Sequence, residues 1–565
     1  MYRSGVKPSP ALTTEIVDRR IDDSADELVP PRGSLDEIRA FAALQRGLAP
    51  MFVRVFSDRR APRTVVVIPS MSLDAEELAK LPGATHYEER FLCLLLLLRL
   101  PTTRVVYVTS ERIALSIVEY YLRMIPGVSL DDARSRLTMV ACDDASPVPL
   151  TEKLLSRADL MARLRELVVD RESAHITCFT ATSLERTLAV RLGIPLYGTD
   201  PALGYLGTKS GSRDVFHRAG ILTPPGFEHL VGEDEVVRAL VELKRGNPAV
   251  GRAMIKLEEG FSGEGNAIFS FDGAPHGAGL DQWIRDLLPF RARFGAPDAT
   301  WETYRNELAR MGGIVEAFVT GHDVRSPSVQ CRIDPSGATQ IISTHDQLLG
   351  GASGQVYLGC TFPAEPSCIP GLHDAARLVI EALASDGVVG RFGIDFVSTR
   401  LHNEWTHYAI EINLRKGGTT HPFLTLALLT DGTYDEVSGE FHSSAGRLCC
   451  YVASDNLGDP AFASLTPEDV MNAVAGRGLE YDPTLERGTV LHLLGALPEF
   501  SKLGAVCIAP TRHEAQALMA DVVALLRREG AARESAADAT RETGREDWRN
   551  AARPGTDEIR GAPGA

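Results

Sequence analysis

The chain has 565 residues, 44% hydrophobic and 24% charged, with a formal net charge of −16. These values exclude a wholly disordered chain, a disulfide-stapled miniprotein and a collagen-like fibre. The acidic balance speaks against a phosphate backbone as partner, so no nucleic acid is expected, although a local basic pocket for a small anion stays open.

Residues 1–30 are polar and charged and read as a flexible lead. From 31 to 203, short β-branched runs alternate with helical patterns. TVVVI (64–68), RVVYV (104–108), LTMVAC (137–142) and HITCF (175–179) read as strands, and IPLYG (194–198) closes the block. Helices are predicted over 86–98, 114–125, 152–168 and 183–192. The alternation, with strands apolar on both faces, predicts a Rossmann-like parallel sheet covered on both sides. TVVVI runs into PSMSLDAEEL and not into G-x-G-x-x-G, so no dinucleotide is expected. The ten-residue run FLCLLLLLRL is too short to cross a bilayer, and no membrane association is expected. Nine cysteines without a CxxC pair read as buried reduced thiols. With no apolar leader segment, a cytoplasmic location is expected.

More specific residues begin at Gly204. A helix starting near Ser210 sets Lys209 at its N-terminus, where backbone N–H groups favour an anion; taken alone, this lysine reads as a solvated surface charge. In AMIKLEEGFSGEGNAIF a strand delivers Lys256, followed by a loop with Gly260, Ser262, Gly263 and Gly265 and a second strand. Glycines admit the backbone close to phosphates and the lysine adds a point charge, though an ordinary Gly-rich hairpin has the same pattern. GIVEAFV is an apolar strand holding one acid, Glu316. Its end can offer backbone groups at Phe318 and Val319 to an adenine edge, and Asp323 can accept from ribose hydroxyls. The bland alternative is a strand with a polar end.

The strongest piece is GRFGIDFVSTRLHNEWTHYAIEINLRKGG, two strands around a polar turn. If the turn centres on Asn403, antiparallel pairing places Asp395 opposite Glu411, and strand period two puts Asn413 on the face of Glu411. Two carboxylates and an amide oxygen in apolar surroundings suit Mg²⁺ (or Mn²⁺) on nucleotide phosphates.

In this order the pieces resemble the ATP-grasp fold, over residues 204–440. IPSMSLD, HYEER, GTDPALGYLGTKSGSR, SPSVQCRI, THDQLLGGASGQVYLGCTFPA and EINLRKGGTTHPF further resemble the peptide-ligase family typified by the ligase of pheganomycin biosynthesis. That resemblance implies an α/β (α+β in the ATP-grasp part) architecture: a pre-ATP-grasp domain at 31–203, the ATP-grasp domain at 204–440 and a small C-terminal domain at 441–529. The Ala-, Arg- and Glu-rich segment 530–565 is expected to stay disordered. By resemblance Lys209 and Lys256 hold α- and β-phosphates, Glu316 and the backbone after it adenine, Asp323 ribose, and Asp395, Glu411 and Asn413 magnesium. Arg415 fits the Glu-x-Asn-x-Arg pattern of the biotin-carboxylase-like branch; Arg391 is the other candidate to face the transferred phosphate. The implied reaction is ATP-dependent ligation of a carboxylate to an amino acid or peptide amine through an acyl phosphate, in natural-product biosynthesis. A small-molecule kinase on the same fold and a non-catalytic nucleotide-binding module are the rivals. Arg325, Arg332, His345, Asp346, Gln347, Tyr357 and His421 are substrate candidates. No heptad or interface stripe appears, and a homodimer stays open.

Overall fold

A computed structural model describes residues 30–73, 75–260, 263, 265–296, 298–350, 354, 356–402 and 404–551, except for the side chains of 76 and 537–551. The expected lead at 1–30 thus lies almost wholly outside the described residues. Strands β1 (Arg63–Ile68), β2 (Thr103–Thr109), β3 (Leu137–Ala141) and β4 (Ala174–Cys178) form a parallel sheet in the order β3-β2-β1-β4. IPLYG adds no strand, only a single parallel bridge from Leu196 to Ile176. The helix predicted over 152–168 is two, Leu150–Leu155 and Ala158–Leu167. The apolar segment Ala84–Arg99 is wound in 3₁₀ turns and buried on nearly every side. It fills the seam where the first sheet meets the helix Thr420–Thr430 and the strands beyond it, within one continuous apolar cluster. Its second half, residues 91–98, is a continuous apolar run and needs such an all-round enclosure. All nine cysteines are buried and unpaired with one another.

Strands β5 (Gly226–Leu230), β6 (Arg252–Leu257), β7 (Asn266–Ser270), β8 (Arg293–Phe294) and β9 (Gly313–Ala317) make a five-stranded antiparallel sheet, β5-β9-β6-β7-β8. On β6 the residues Ala253, Ile255 and Leu257 join the core under the helices Glu233–Gly246, Leu280–Arg291 and Trp301–Met311. The two-residue period therefore turns Lys256 to the opposite face.

The large sheet contains β10 (Asp323–Arg325), β11 (Pro327–Ile333), β12 (Thr339–Gly350), β13 (Val356–Phe362), β14 (Gly390–Leu401) and β15 (Glu404–Asn413). After the small β16–β17 ladder (Thr433–Tyr434, Phe441–His442) the chain returns to it with β18 (Cys450–Gly458), β19 (Gly488–His492) and β20 (Lys502–Ala509). On β14, Phe392, Ile394 and Phe396 pack with the helix Ile369–Ser385, which leaves Gly393 and Asp395 on the other face.

The β14–β15 hairpin closes with Leu401 opposite Glu404, not symmetrically about Asn403. A bulge follows: Phe396 pairs with Ala409 and Asp395 with Glu411, so Ile410 is the extra residue. Ala409 and Ile412 both belong to the helix-side core although they are three positions apart. The bulge thus resets the alternation and aims Glu411 and Asn413 away from that core. The expected Asp395–Glu411 pair forms, by an off-centre turn and a bulge that cancel.

The expectation of disorder from residue 530 is corrected. The last helix runs from Arg512 to Ala551. Ser464 Oγ donates to the Gly530 carbonyl at 3.1 Å, and Arg533 pairs with Asp469. Ala, Arg and Glu are strong helix formers, and an existing helix extends without a new nucleation cost. Residues 552–565 lie outside the described residues.

Candidate active site

The five-stranded sheet, the large sheet and the 3₁₀ segment Ala84–Arg99 enclose a cleft of about 480 Å³. Lys209, Lys256, Gly260, Gly263, Gly265, Asp395, Glu411, Asn413, Arg415, Gln347 and Tyr357 all line it. Ser262 lies outside the described residues.

Lys209 begins the helix Lys209–Arg218, capped by Thr208, whose Oγ1 accepts from Gly211 N. The Lys209 amide donates to the Glu258 carbonyl at 3.3 Å and the Ser210 amide to the Glu258 carboxylate at 2.9 Å. The helix end is therefore already satisfied, which corrects its reading as an anion site; the side chain does the reaching. Its Nζ lies 2.6 Å from Glu411 Oε1, tying the helix to the large sheet.

Lys256 Nζ lies 2.5 Å from Glu316 Oε1, and Arg213 Nη1 lies 3.2 Å from Glu316 Oε2. Arg213, Lys256 and Glu316 are all buried. Glu316 thus clamps two cations below the cleft floor and does not line the cleft. The Phe318 amide is likewise engaged, donating to the Arg252 carbonyl at 3.0 Å, and the Arg252 guanidinium lies 4.0 Å from the Phe318 ring centroid. Val319 follows it outside the cleft lining. Asp323 holds Arg400 at 2.6 Å where β10 pairs with β14, also away from the lining. The adenine and ribose roles read for these four residues therefore have no support in their contacts.

The acid pair is built differently. Ser328 on β11 and Glu411 on β15 flank Asp395, and Asn413 Nδ2 donates to Asp395 Oδ2 at 2.8 Å. Burial, then the neighbouring Glu411, pushes Asp395 up to about 6, against Ser328, Arg415 and Lys209. Burial also acts upward on Glu411, but Lys209, Lys256 and Arg415 outweigh it and hold that carboxyl below its ordinary range. Two acids under mutual strain beside an amide oxygen form a hard oxygen set suited to a divalent cation, which would relieve the repulsion.

Arg415 lies 5.7 Å from the Phe179 ring centroid, and burial lowers its guanidinium against the pull of Glu411 and Asp395. Arg391 stands on the Asp395 face but outside the cleft lining, cross-strand from Arg332. Burial, then Arg332, lowers it to about 10. Of the two arginines the cleft contains Arg415.

The remaining candidates divide. Gln347 and Tyr357 line the cleft. His345 is fully buried, its Nε2 2.6 Å from the Tyr451 hydroxyl, in the aromatic core beneath the helix Thr420–Thr430; a cleft role is corrected for it. Arg325 is held among Asp323, Asp346 and Glu365, and Asp346 also by Arg512 at 3.1 Å. Arg332 donates to Gln340 at 2.8 Å. His421 is buried behind the wall beside His492 and Asp455.

Sequence reasoning missed Arg90, Phe179, Ser328, Gln330, Asp455 and Asn456, which also line the cleft. Arg90 comes from HYEER in the first block. Its Nη1 lies 3.2 Å from Asp455 Oδ2, and its guanidinium sits 4.6 Å from the Tyr87 and 4.9 Å from the Phe179 ring centroids. Arg90 follows Glu88 and Glu89 in a polar stretch ahead of the apolar run, so no local signal singled it out.

A lysine from a helix start and a lysine from one antiparallel sheet, facing paired acids from another, behind a parallel sheet, define an ATP-grasp enzyme. Residues 202–273 and 296–436 match the family described as IQCH-like, ATP-grasp, and residues 469–530 match the PGM1 C-terminal domain. The chain is 32% identical over 460 residues to the L-propargylglycine–L-glutamate ligase of Streptantibioticus cattleyicolor, covering 79% of this chain and 91% of that protein. It is 24% identical over 501 residues to IQ motif-containing protein H of Danio rerio, covering 77% of this chain and 45% of that protein. Among solved structures, an ADP complex of N5-carboxyaminoimidazole ribonucleotide synthetase aligns at 11% identity with a TM-score of 0.49, over 83% of this chain and 98% of that one. The biotin carboxylase of Campylobacter jejuni aligns at 14% and 0.49, over 81% and 90%. The chain belongs to the ATP-grasp ligase family that includes the Streptantibioticus enzyme.

Proposed function

We propose that this ligase joins the carboxylate of one amino acid to the amine of a second amino acid or short peptide, with ATP cleaved to ADP, in the assembly of a peptide-like natural product. The observation that carries this reading is the meeting of Lys209, Lys256 and Arg415 with Asp395, Glu411 and Asn413 around one cleft. The Streptantibioticus relative, a ligase of L-propargylglycine and L-glutamate, supports the substrate class.

The lysines neutralise phosphate charge on the nucleotide. Arg415 stabilises the γ-phosphoryl group as it passes to the substrate carboxylate, giving an acyl phosphate. The amine then attacks the acyl carbon, phosphate leaves, and an amide forms. Asp395, Glu411 and Asn413 would hold Mg²⁺ or Mn²⁺, which when bound offsets charge on the β- and γ-phosphates. Enclosure by the two sheets, with Gly260, Gly263 and Gly265 in the cleft lining, limits the access of water, which otherwise hydrolyses the acyl phosphate. The test is ADP release against an array of amino acids and dipeptides, singly and in pairs, with the products weighed by mass spectrometry. A product equal to two substrates minus water supports the reading; a stable phosphorylated product contradicts it.

A further inference from the structure

Behind the cleft wall, three buried side chains that the ligase reaction does not use converge from three separate elements. His421 sits in the first turn of the helix Thr420–Thr430, Asp455 on β18 and His492 at the end of β19. The Nε2 atoms of His421 and His492 are 3.1 Å apart. Asp455 Oδ1 lies 2.9 Å from His492 Nε2 and 3.2 Å from His421 Nε2. All three residues are at most 5% exposed.

Hydrogen bonds alone do not satisfy this triangle. The Nδ1 atom of His492 is buried without a partner, which favours its proton on Nε2, donating to Asp455. If His421 also carries its proton on Nε2, two N–H groups 3.1 Å apart crowd one oxygen. If His421 carries it on Nδ1, a bare nitrogen lone pair faces the carboxylate at 3.2 Å. Either way one edge is repulsive. A cation on the axis of the triangle makes all three lone pairs ligands, with the proton of His492 moved from Nε2 to Nδ1. Atoms with these spacings leave a point about 2 Å from each, the length of a zinc–nitrogen or zinc–oxygen bond.

We propose that His421, Asp455 and His492 form a binding site for a first-row divalent cation of the zinc type, distinct from the acid pair at Asp395 and Glu411. Two imidazoles and one carboxylate select such ions over Mg²⁺, which prefers oxygen. Arg90 holds the second Asp455 oxygen, Oδ2, at 3.2 Å, an outer contact of the kind that orients a ligating carboxylate. Asp455 also lines the cleft, which gives the cation a route in. The site does not depend on which substrates the ligase takes.

The test uses the full-length protein, stripped with chelator and titrated with Co²⁺ and then Zn²⁺. One equivalent of Co²⁺ gives a ligand-field absorption that Zn²⁺ displaces and excess Mg²⁺ does not. His492→Gln and His421→Gln each weaken binding by at least ~100-fold, whereas Glu411→Gln leaves it unchanged. X-ray absorption of the zinc-loaded wild-type protein, which needs no variant to fold, shows two imidazoles in a set of nitrogen and oxygen ligands. Absence of saturable one-to-one binding, equal binding by the histidine variants, or a sulfur-containing or imidazole-free shell would overturn the site. ADP release with Mg²⁺ is measured on the same samples, so loss of the zinc site and loss of the ligase reading are separate results.

Discussion

At the scale of single residues, the cleft is a balance of charges already partly spent on one another. Glu411 is held by Lys209, so a bound divalent cation and nucleotide must take over both partners of that contact. Glu411→Ala removes one acid of the set and is expected to lower ADP release by at least ~10²-fold while far-UV circular dichroism is unchanged. Burial and the neighbouring Glu411 push the Asp395 carboxyl up to about 6. Its proton competes with the cation, so Mn²⁺ affinity in the presence of ADP is expected to be level above about pH 7. Below pH 6 it falls by about tenfold per pH unit; calorimetric titration between pH 5 and 8 measures this, and a flat profile excludes Asp395 as a ligand. Lys256→Met leaves Glu316 buried with Arg213 alone. Breaking such a buried set costs about 3–5 kcal/mol, so both the melting temperature and ATP affinity are expected to fall. Lowered affinity at an unchanged melting temperature would mean that the Glu316 contact carries no stability.

At the scale of elements, one bulge and one helix start position the site. Ile410 is the extra residue that lets Ala409 and Ile412 share the core while Glu411 and Asn413 face the cleft. The acids and their pairing were legible because FGIDF and AIEIN are apolar runs each interrupted by one acid. The bulge was not, because nothing in local composition separates an off-centre turn from an extra strand residue. Lys256 was legible for the same reason as the acids, a charge inside the apolar run AMIKL, whereas Lys209 in GYLGTKSGSR gained its role only from the order of the pieces. The occupation of Glu316 by Arg213 and Lys256 was hidden, since 103 residues separate Arg213 from Glu316 and only folding joins them. The same holds for Arg90 and Asp455, 365 residues apart. The helix that carries Lys209 offers a test of its own. A Cβ at Gly211 would lie 1.9 Å from the Tyr205 carbonyl oxygen, so Gly211→Ala must shift the helix start. It is expected to cost about 1–3 kcal/mol and to weaken nucleotide binding, read by thermal melting with and without ADP. A variant as stable and as tight as wild type would contradict this packing.

At the scale of the whole molecule, the apolar segment Ala84–Arg99 joins the parallel sheet to the catalytic sheets and carries Arg90 into the cleft, so the first block contributes to the site directly. The last helix secures the far end through Gly530 and Arg533. A chain ending at Glu529 loses both contacts and is expected to melt a few degrees lower, whereas one ending at Ser535 keeps wild-type stability; equal melting of the two would show that the extension is idle. The central claim, that the facing lysines and acids serve amide formation, is tested most directly by incubating the protein with ATP, Mg²⁺ and paired amino acids and weighing what forms. One ADP per product, with a product mass equal to two substrates minus water and its loss in Glu411→Ala, is the predicted result. ATP turnover that yields only a phosphorylated acceptor, stable to added amine, would contradict it.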